Sequence, residues 1–283
     1  MQEDEMALPQ WLNDVDWRTP NAARAFDHLC GGVHNFEADR RFAEQAYREW
    51  PGFHSLANDH RAFRGRAVRR LAAAGIRQFL DLGCGVVGRD DVHEIAQSAA
   101  SDADVKVVYV DLDPVVVAHA RYVTAANQNV TAIRGDVRQP RSILLQSEVT
   151  DLLDLAKPIA VLLVAVLEYL ADNDDPAGIV AQFGAAAAAG SFLCVSHTIP
   201  TPCDADRQDR VRRLYEQIAA PMHLRTADQV RGLLEGWEPV SSGPVPVTSW
   251  HPDPNEPYLG HRSHAVAAVA VVAAKPPFRL EVA

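Results

Sequence analysis

From Ile76 to His197 the sequence alternates short β-branched, apolar runs with alanine-rich windows. The runs are IRQFLDL, VKVVYVDL, VTAIRGD, PIAVLLVAVL and GSFLCVSH. Strands that alternate with helical windows are typical of βαβ units, in which helices cover both faces of a parallel sheet. The pattern therefore predicts an α/β fold with five parallel strands, and EPV and AVAAVAVVAAK are expected to add the final strands.

Residues 1–75 have a different texture. They are rich in Arg, Ala, Phe and Trp, and their natural breaks are Pro20 and Pro51-Gly52. Such breaks commonly separate helices, and no strand pattern is evident before Ile76. The sequence thus predicts a helical N-terminal cap over residues 1–75 and an α/β core over residues 76–283.

Composition narrows the class of protein. The chain has 283 residues, 48% hydrophobic and 23% charged, which is typical of a globular protein. The net charge of −10 disfavours nucleic acid and acidic membranes as partners. Apolar runs such as Ile159 to Leu167 are shorter than the ~20 residues of a membrane helix, and the acidic N-terminus does not resemble a secretory signal. We therefore predict a soluble, cytoplasmic protein, and its four scattered cysteines predict neither a metal site nor disulfides.

A glycine-rich segment directly follows the first predicted strand. FLDLGCGVVG places Gly83, Cys84 and Gly85 between that strand and a helical window. Glycines in such a turn let backbone N–H groups approach a ligand closely, which favours a nucleotide-like ligand. Together with Gly88 the glycines also match G-x-G-x-x-G, so an enzyme that uses NAD(P) is an alternative.

Carboxylates around this turn favour another cofactor. Asp81 ends the strand, and Asp90 and Asp91 follow the glycines, where a pyrophosphate would meet negative charge. S-adenosylmethionine carries an ammonium, a sulfonium and a single carboxylate, so acidic surroundings suit it better. Asp111 ends the second strand and is expected to accept hydrogen bonds from both hydroxyls of a ribose.

Two further aspartates have structural alternatives to ligand binding. Asp113 precedes Pro114, the usual arrangement at a helix start, so capping is its expected main role. Asp136 ends the third strand in IRGDV and is predicted to meet the adenine amino group. The alternative for Asp136 is a turn carboxylate without a ligand.

Taken together, these motifs resemble the class I S-adenosylmethionine-dependent methyltransferases, and within them the S-adenosyl methyltransferase family, once a domain of unknown function. The stretches that carry the resemblance are PNAARAFDHLCGGVHNF, HRAFRGRAVRRL, IRQFLDLGCG, VHEIAQ, VVYVDLDPVVVAHAR, LLVAVLEYL, DDPAGIV, SHTIP and SWHP. The resemblance implies a Rossmann-like, seven-stranded, mostly parallel sheet with helices on both faces, antiparallel C-terminal strands and a helical cap. It also implies S-adenosylmethionine as the cofactor and S-adenosylhomocysteine as the product.

The predicted cofactor contacts follow from the turn motifs and this resemblance. In the core they are Asp81, Gly83, Cys84, Gly85, Asp111, Leu112, Asp136, Val137 and Ala165. In the cap they are Arg24 and Asn35, which flank Gly31-Gly32 in a polar stretch that is expected to close over the ligand. A helix hairpin with a glycine turn is the alternative for that stretch. Arg61 is a further candidate contact.

Side chains for the methyl acceptor are expected where strands four and five end, because ligands of parallel sheets bind at the carboxyl ends. Glu168 and Tyr169 follow strand four, and His197 follows strand five. Methyl transfer is an in-line displacement that needs alignment in a dry pocket, and a base is needed only if the acceptor must lose a proton. We predict these three residues as catalytic candidates, with structural hydrogen bonding or packing as the alternatives.

The sequence thus predicts a methyltransferase whose small-molecule acceptor binds between the sheet edge, the cap and a proline-rich loop around Trp250. Two alternatives stay open: a non-catalytic module that binds the cofactor or its product, and an NAD(P)-dependent oxidoreductase. No metal is predicted, and the sequence does not indicate an oligomeric state.

Overall fold

One mixed sheet organises the molecule. The computed structural model describes residues 15–88, 91–100, 104–218, 220–253 and 268–276, so Asp90 lies outside the described residues. The strands are β1 (Gln78–Leu82), β2 (Lys106–Asp111), β3 (Val130–Arg134), β4 (Ala160–Val164), β5 (Phe192–Thr198), β6 (Glu238–Pro239), β7 (Val245–Pro246) and β8 (Ala268–Ala274). Their order is β3-β2-β1-β4-β5-β8-β6, and β7 also pairs with β8.

The strand directions match the predicted α/β class. Strands β1 to β5 pair in parallel, whereas β8 runs antiparallel to β5, β6 and β7. The five predicted parallel strands and the late antiparallel strands are confirmed. The count of seven is one short, because β7 lies in the proline-rich stretch before Pro257, where the sequence predicts a loop. The strand order reverses between β1 and β4, and this reversal opens a crevice at the carboxyl ends of the strands.

Helices connect the strands and cover both faces of the sheet. They are α1 (Ala22–Leu29), α2 (Glu37–Glu49), α3 (Gly52–Ala73), α4 (Val92–Ala99), α5 (Pro114–Thr124), α6 (Pro140–Leu144), α7 (Ser147–Thr150), α8 (Pro176–Ala186), α9 (Ala205–Glu216) and α10 (Ala227–Gly232). Asp113 caps α5 as predicted: its Oδ1 accepts from the N–H of Val115 at 2.8 Å and of Val116 at 3.2 Å. No helix among the described residues is long and apolar enough to cross a membrane.

Two apolar layers sandwich the sheet. Neighbouring residues of a strand point to opposite faces, so Phe79 belongs to the layer with Phe63 of α3, whereas Leu80 belongs to the layer with Phe183 of α8. All five residues of β1 are buried, which explains why its sequence reads as a nearly continuous apolar run.

The N-terminal helices join this core through both apolar and ionic contacts. Residues of α1, α2 and α3 belong to the same buried apolar cluster as one face of the sheet. Arg24 of α1, which is 2% exposed, pairs with Asp39 of α2 at 2.9 Å and with Asp113 at 2.6 Å. The division into a cap over residues 1–75 and a core over residues 76–283 stays a prediction. Residues of α3 pack directly on the sheet, so this helix shares the apolar core with the strands.

Candidate functional site

A cavity of about 300 Å3 lies where β1, β2, β3 and β4 end and where the first turns of α1 cover them. Small-molecule sites in proteins occupy ~300–1,000 Å3, so this cavity has the size of a site for one cofactor-sized molecule. Its lining residues are Asn21, Ala22, Ala23, Phe26, Arg61, Arg64, Asp81, Gly83, Cys84, Gly85, Val110, Asp111, Leu112, Gly135, Asp136, Val137, Arg138, Val164, Ala165, Val166, Tyr169, Leu170, Ile218 and Ala220.

The glycine turn after β1 forms the floor of the cavity. Gly83 and Gly85 have φ angles of +68° and +64°, which residues other than glycine rarely adopt. A Cβ at Gly83 would lie 2.6 Å from Cγ2 of Val166, so this glycine allows the β1 and β4 turns to approach each other. A Cβ at Gly85 would meet nothing within 4 Å, so Gly85 borders open space that a ligand can fill.

Asp111 joins this turn to the end of β2. Its Oδ2 accepts from the N–H of Gly85 at 3.0 Å, and its Oδ1 accepts from the N–H of Asp113 at 2.9 Å. Each carboxylate oxygen has a second acceptor site. Burial raises the pKa of Asp111 to about 6. The carboxylate is therefore fixed by the backbone with acceptor capacity left for two hydroxyls, as a ribose requires.

Asp81 is the least compensated acid of the cavity wall. It is 1% exposed, and its Oδ2 makes no hydrogen bond to the described residues. The nearest cation is Arg64, whose Nη1 lies 3.6 Å from Oδ2, but Arg64 is also held by Asp91 at 2.9 Å. Burial raises the pKa of Asp81 to about 7. An orphaned carboxylate oxygen beside a cavity fits a positively charged ligand group.

Asp136 lines the cavity in a different state. Its oxygens accept from Nε of Arg138 at 2.9 Å and from Nη2 at 2.7 Å. Arginines also line this cavity at positions 61, 64 and 138, equal in number to the aspartates at 81, 111 and 136. The sequence led us to expect an acidic rim, but aspartates are only half of the charged residues that line the cavity. This balance of charge was not anticipated, because Arg61 and Arg64 are distant from these acids in the chain and Arg138 pairs with its near neighbour Asp136.

The structure brings most of the predicted residues together. Nine of the predicted cofactor contacts and the acceptor candidate Tyr169 line this one cavity: Asp81, Gly83, Cys84, Gly85, Asp111, Leu112, Asp136, Val137 and Ala165. Whether they bind a cofactor stays a prediction. The thiol of Cys84 is neutral, since burial raises its pKa well above the usual value.

Arg24 and Asn35 do not line the cavity. Arg24 is committed to its two buried ion pairs. Asn35 donates from Nδ2 to Oδ2 of Asp27 at 2.7 Å and to the carbonyl of Gly32 at 3.1 Å. Both residues therefore make structural contacts. For Asn35 these contacts favour the alternative in which Gly31-Gly32 is a turn of a helix hairpin without a ligand role.

Glu168 and His197 are also outside the lining. Nδ1 of His197 bonds to the carbonyl oxygen of Thr198 at 2.6 Å, and burial lowers the pKa of this histidine to about 4. Oε1 of Glu168 accepts from the hydroxyl of Thr198 at 2.8 Å, whereas Oε2 makes no hydrogen bond to the described residues. Burial raises the pKa of Glu168 to about 7. Both side chains lie behind the cavity wall.

The described residues of the loop around Trp250, up to Asp253, do not line the cavity either. Trp250 packs edge-on against Phe63 at 5.3 Å, and its carbonyl accepts from Nε of Arg66 at 2.9 Å. Trp250 therefore packs in the apolar layer of α3 without lining the cavity, and its place beside the acceptor stays a prediction.

Several lining residues escaped the sequence reasoning. Phe26, Leu170, Ile218 and Ala220 form an apolar side of the cavity, and Arg64 supplies a charge. Apolar residues of this kind carry no sequence signal that separates a cavity wall from a core. Arg64 lies three positions after Arg61, so helical spacing placed both on one face, but that spacing does not show which face meets a ligand.

One residue of the wall has an unusual backbone. Ala165, directly after β4, has a φ angle of +54°. Left-handed backbone costs an alanine ~1–2 kcal/mol, so its surroundings must hold it there. Among the described residues no group of three or more His, Cys, Asp or Glu side chains is arranged to hold a metal ion.

Comparisons with known proteins agree with this geometry. A family model described as S-adenosyl methyltransferase matches residues 10–276. A candidate methyltransferase from Thermobifida fusca YX is 34% identical with a TM-score of 0.82, over 92% of this chain and 96% of that one. A DUF574 family protein from Streptomyces avermitilis MA-4680 is 34% identical with a TM-score of 0.84, over 92% and 99% of the two chains. The pyocyanin biosynthetic protein PhzM shares the fold at 16% identity and a TM-score of 0.50, over 84% and 58%. A search of curated proteins returned no match.

Proposed function

The chain belongs to the S-adenosyl methyltransferase family and is an S-adenosylmethionine-dependent methyltransferase, and from that premise we propose that its acceptor is a small, largely apolar molecule bound beside β4. The observation that carries this proposal is the division of the cavity lining. Charged residues lie at the ends of β1 and β2, after β3 and on α3, whereas the part formed by α1, the segment after β4 and the segment after α9 is largely apolar.

The charged part suits the cofactor. When bound, S-adenosylmethionine supplies a methyl group that its sulfonium activates towards displacement. Asp111 would accept hydrogen bonds from the ribose hydroxyls, and Asp136 would meet the adenine amino group. Asp81 would balance the ammonium, since its Oδ2 has no hydrogen bond of its own among the described residues.

The apolar part suits the acceptor. Phe26, Leu170, Ile218 and Ala220 would exclude water from the reacting atoms and hold an apolar body by its shape. Tyr169 adds a ring that stacks 5.9 Å from the ring of Tyr215.

We propose that the chain contributes orientation and dryness rather than a strong base. The predicted bases Glu168 and His197 are outside the cavity lining. Burial raises the pKa of Tyr169 well above its usual value, so this hydroxyl stays protonated near pH 7. An acceptor that already presents a lone pair, such as an amine or an ionised phenol, fits these surroundings best.

An assay with acceptor panels tests this function. The protein is incubated with methyl-labelled S-adenosylmethionine and small aromatic amines, phenols and their polar counterparts, and labelled product is identified by mass spectrometry. We expect transfer to apolar members of the panel. Phe26→Ala should raise the acceptor KM about tenfold with a much smaller effect on cofactor affinity, because it removes apolar wall.

Val33→Ala is the matched control for Phe26→Ala. Val33 lies in the same N-terminal segment, is 79% exposed, and does not line the cavity. Transfer only to the polar counterparts, or equal effects of the two substitutions on the acceptor KM, would contradict the proposed apolar site.

The pH dependence of binding gives a separate expectation. The pKa of Asp81 is about 7, above the ~3.9 of an unfolded aspartate, so the folded protein holds an extra proton between these values. Stability without ligand should therefore fall as pH rises from about 4 to about 7. Binding of a ligand ammonium should strengthen over the upper part of this range, because the ammonium needs the ionised carboxylate.

Calorimetry with S-adenosylhomocysteine measures this effect. We expect affinity to rise about 20-fold between pH 6 and pH 8, about tenfold from Asp81 and about twofold from Asp111, with proton release on binding near pH 7. In Asp81→Asn the rise should shrink to about twofold, the part that remains from Asp111 with its pKa of about 6. An unchanged pH profile in Asp81→Asn would assign the titration to another group.

A further inference from the structure

A chain of buried hydrogen bonds lies behind the left-handed residue of the cavity wall. The backbone N–H of Ala165 donates to the carbonyl oxygen of Ser196 at 3.2 Å and to Oγ of the same serine at 3.1 Å. Oγ of Ser196 lies 2.7 Å from Nδ1 of His60. The unusual turn at the end of β4 is thus held by a strand residue that is itself held by a histidine of α3.

The same histidine reaches a second residue of β5. Nε2 of His60 lies 3.4 Å from Oγ1 of Thr198, and this hydroxyl donates to Oε1 of Glu168 at 2.8 Å. Glu168 follows Ala165 by three positions, in the turn that also carries the lining residue Tyr169. His60, Glu168, Ser196 and Thr198, here named the His60 network, therefore close a ring around the turn after β4.

When Glu168 is ionised, the count of donors gives this ring one direction. The single hydroxyl proton of Thr198 goes to Glu168, so its oxygen accepts from His60, which then carries its proton on Nε2. Nδ1 of His60 is then an acceptor, and Ser196 donates to it while accepting from Ala165. His60, Ser196 and Thr198 are each satisfied in this arrangement, whereas Oε2 of Glu168 has no hydrogen bond to the described residues. Only a neutral histidine can supply one donor and one acceptor at this position.

The burial of the ring supports this reading. His60 is 2% exposed, Glu168 is 2% exposed, and Ser196 is fully buried. Burial lowers the pKa of His60 to about 3, so the imidazole stays neutral at working pH. The part of the network formed by His60, Ser196 and Thr198 is buried and satisfied, and such networks restrict their surroundings to one conformation.

We propose that His60 is a positioning residue, which fixes the left-handed turn at Ala165 through Ser196 and thereby sets the shape of the cavity wall between cofactor and acceptor. This inference rests on the proposed function, in which the cavity binds the cofactor. His60 is not among the residues that line the cavity, and its effect passes through the two β5 hydroxyls.

Three substitutions of His60 separate its two contacts. His60→Phe keeps the ring volume and removes both hydrogen bonds. His60→Asn places an amide near the position of Nδ1, so that the contact with Ser196 survives, whereas His60→Gln places it near Nε2 and keeps the contact with Thr198. We expect the Kd for S-adenosylhomocysteine to rise about tenfold in His60→Phe and nearly as much in His60→Gln, but less than threefold in His60→Asn.

A rescue experiment distinguishes positioning from a general loss of stability. Glycine adopts the φ angle of Ala165 without strain, so Ala165→Gly should return the Kd of His60→Phe to within about threefold of the original value. Gln78→Leu is the matched control. Gln78 is a buried residue at the opposite end of β1 with hydrogen bonds to Asp154 and Pro158, so its loss should lower the melting temperature without changing the Kd.

Ser196→Ala supplies a smaller change if His60→Phe does not fold, and it should raise the Kd about fivefold. A wild-type chain that fails to bind S-adenosylhomocysteine would overturn the proposed function. A wild-type chain that binds, with an unchanged Kd in His60→Phe or Ser196→Ala, would overturn only the positioning role. Failure of Ala165→Gly to rescue would also overturn it.

Discussion

Asp111→Asn is expected to weaken binding of S-adenosylhomocysteine at least about 100-fold. An amide has the shape of the carboxylate but replaces one acceptor atom with a donor. In the native chain both oxygens accept backbone N–H groups, from Gly85 and from Asp113. One of these N–H groups would face an amide N–H in the variant, and the glycine turn would open.

The size of this effect follows from the hydrogen bonds lost. Bonds to a charged group contribute ~1.5–3 kcal/mol each, and tenfold in affinity corresponds to ~1.4 kcal/mol. Losing one ribose contact together with the fixed turn therefore gives at least about 100-fold. Calorimetric titration measures the Kd directly, and intact melting behaviour shows that the variant is folded.

Asp154→Asn is the control for Asp111→Asn. Asp154 also accepts a backbone N–H, from Ala156 at 3.1 Å, but it lies before β4 at the opposite end of the sheet. Its substitution should leave the Kd unchanged. If Asp111→Asn binds as tightly as the original chain, the ribose assignment is wrong and the nucleoside lies elsewhere.

The parts of the site that sequence reasoning predicted are those in which neighbours in the chain act together. A buried strand, a glycine turn and an acid at a strand end lie within a few residues, so Gly83 and Asp111 could be assigned from local pattern. The α/β sheet followed for the same reason, because its strands are long apolar runs. The short strand β7 was not predicted because its two residues lie in a proline-rich stretch that is typical of a loop.

The parts of the site that sequence reasoning missed depend on the direction in which side chains point and on contacts between residues that are distant in the sequence. Glu168 and Tyr169 are adjacent in one short turn, yet Tyr169 lines the cavity and Glu168 faces the buried network. Likewise His197 lies between Ser196 and Thr198 in β5 and points to the opposite face, since strand residues alternate. Sequence position placed all three at the correct edge without indicating which would reach a ligand.

Arg24→Met should be the most destabilising of these substitutions, lowering the free energy of unfolding by ~3–5 kcal/mol, the usual cost of removing one partner of a buried ion pair. It leaves Asp39, which is fully buried, and Asp113, which is 7% exposed, without their shared cation. Urea denaturation measures the loss. Arg41→Met is the control, because Arg41 pairs with Glu37 on the exposed face of α2, and such pairs contribute only ~0.3–0.5 kcal/mol.

Arg24→Met should also weaken cofactor binding, because Arg24 connects the cap to the cavity through Asp113. Arg24 holds the carboxylate of Asp113, and the N–H of Asp113 holds Oδ1 of Asp111. Adding Asp39→Asn to Arg24→Met removes one of the two stranded charges, so the double variant should be less destabilised than the two single losses added together. Cofactor affinity should not recover in that double variant, because Asp113 still lacks its partner. Recovery of both stability and affinity would show that Arg24 acts through Asp39 alone, with the cap rather than Asp113 governing the site.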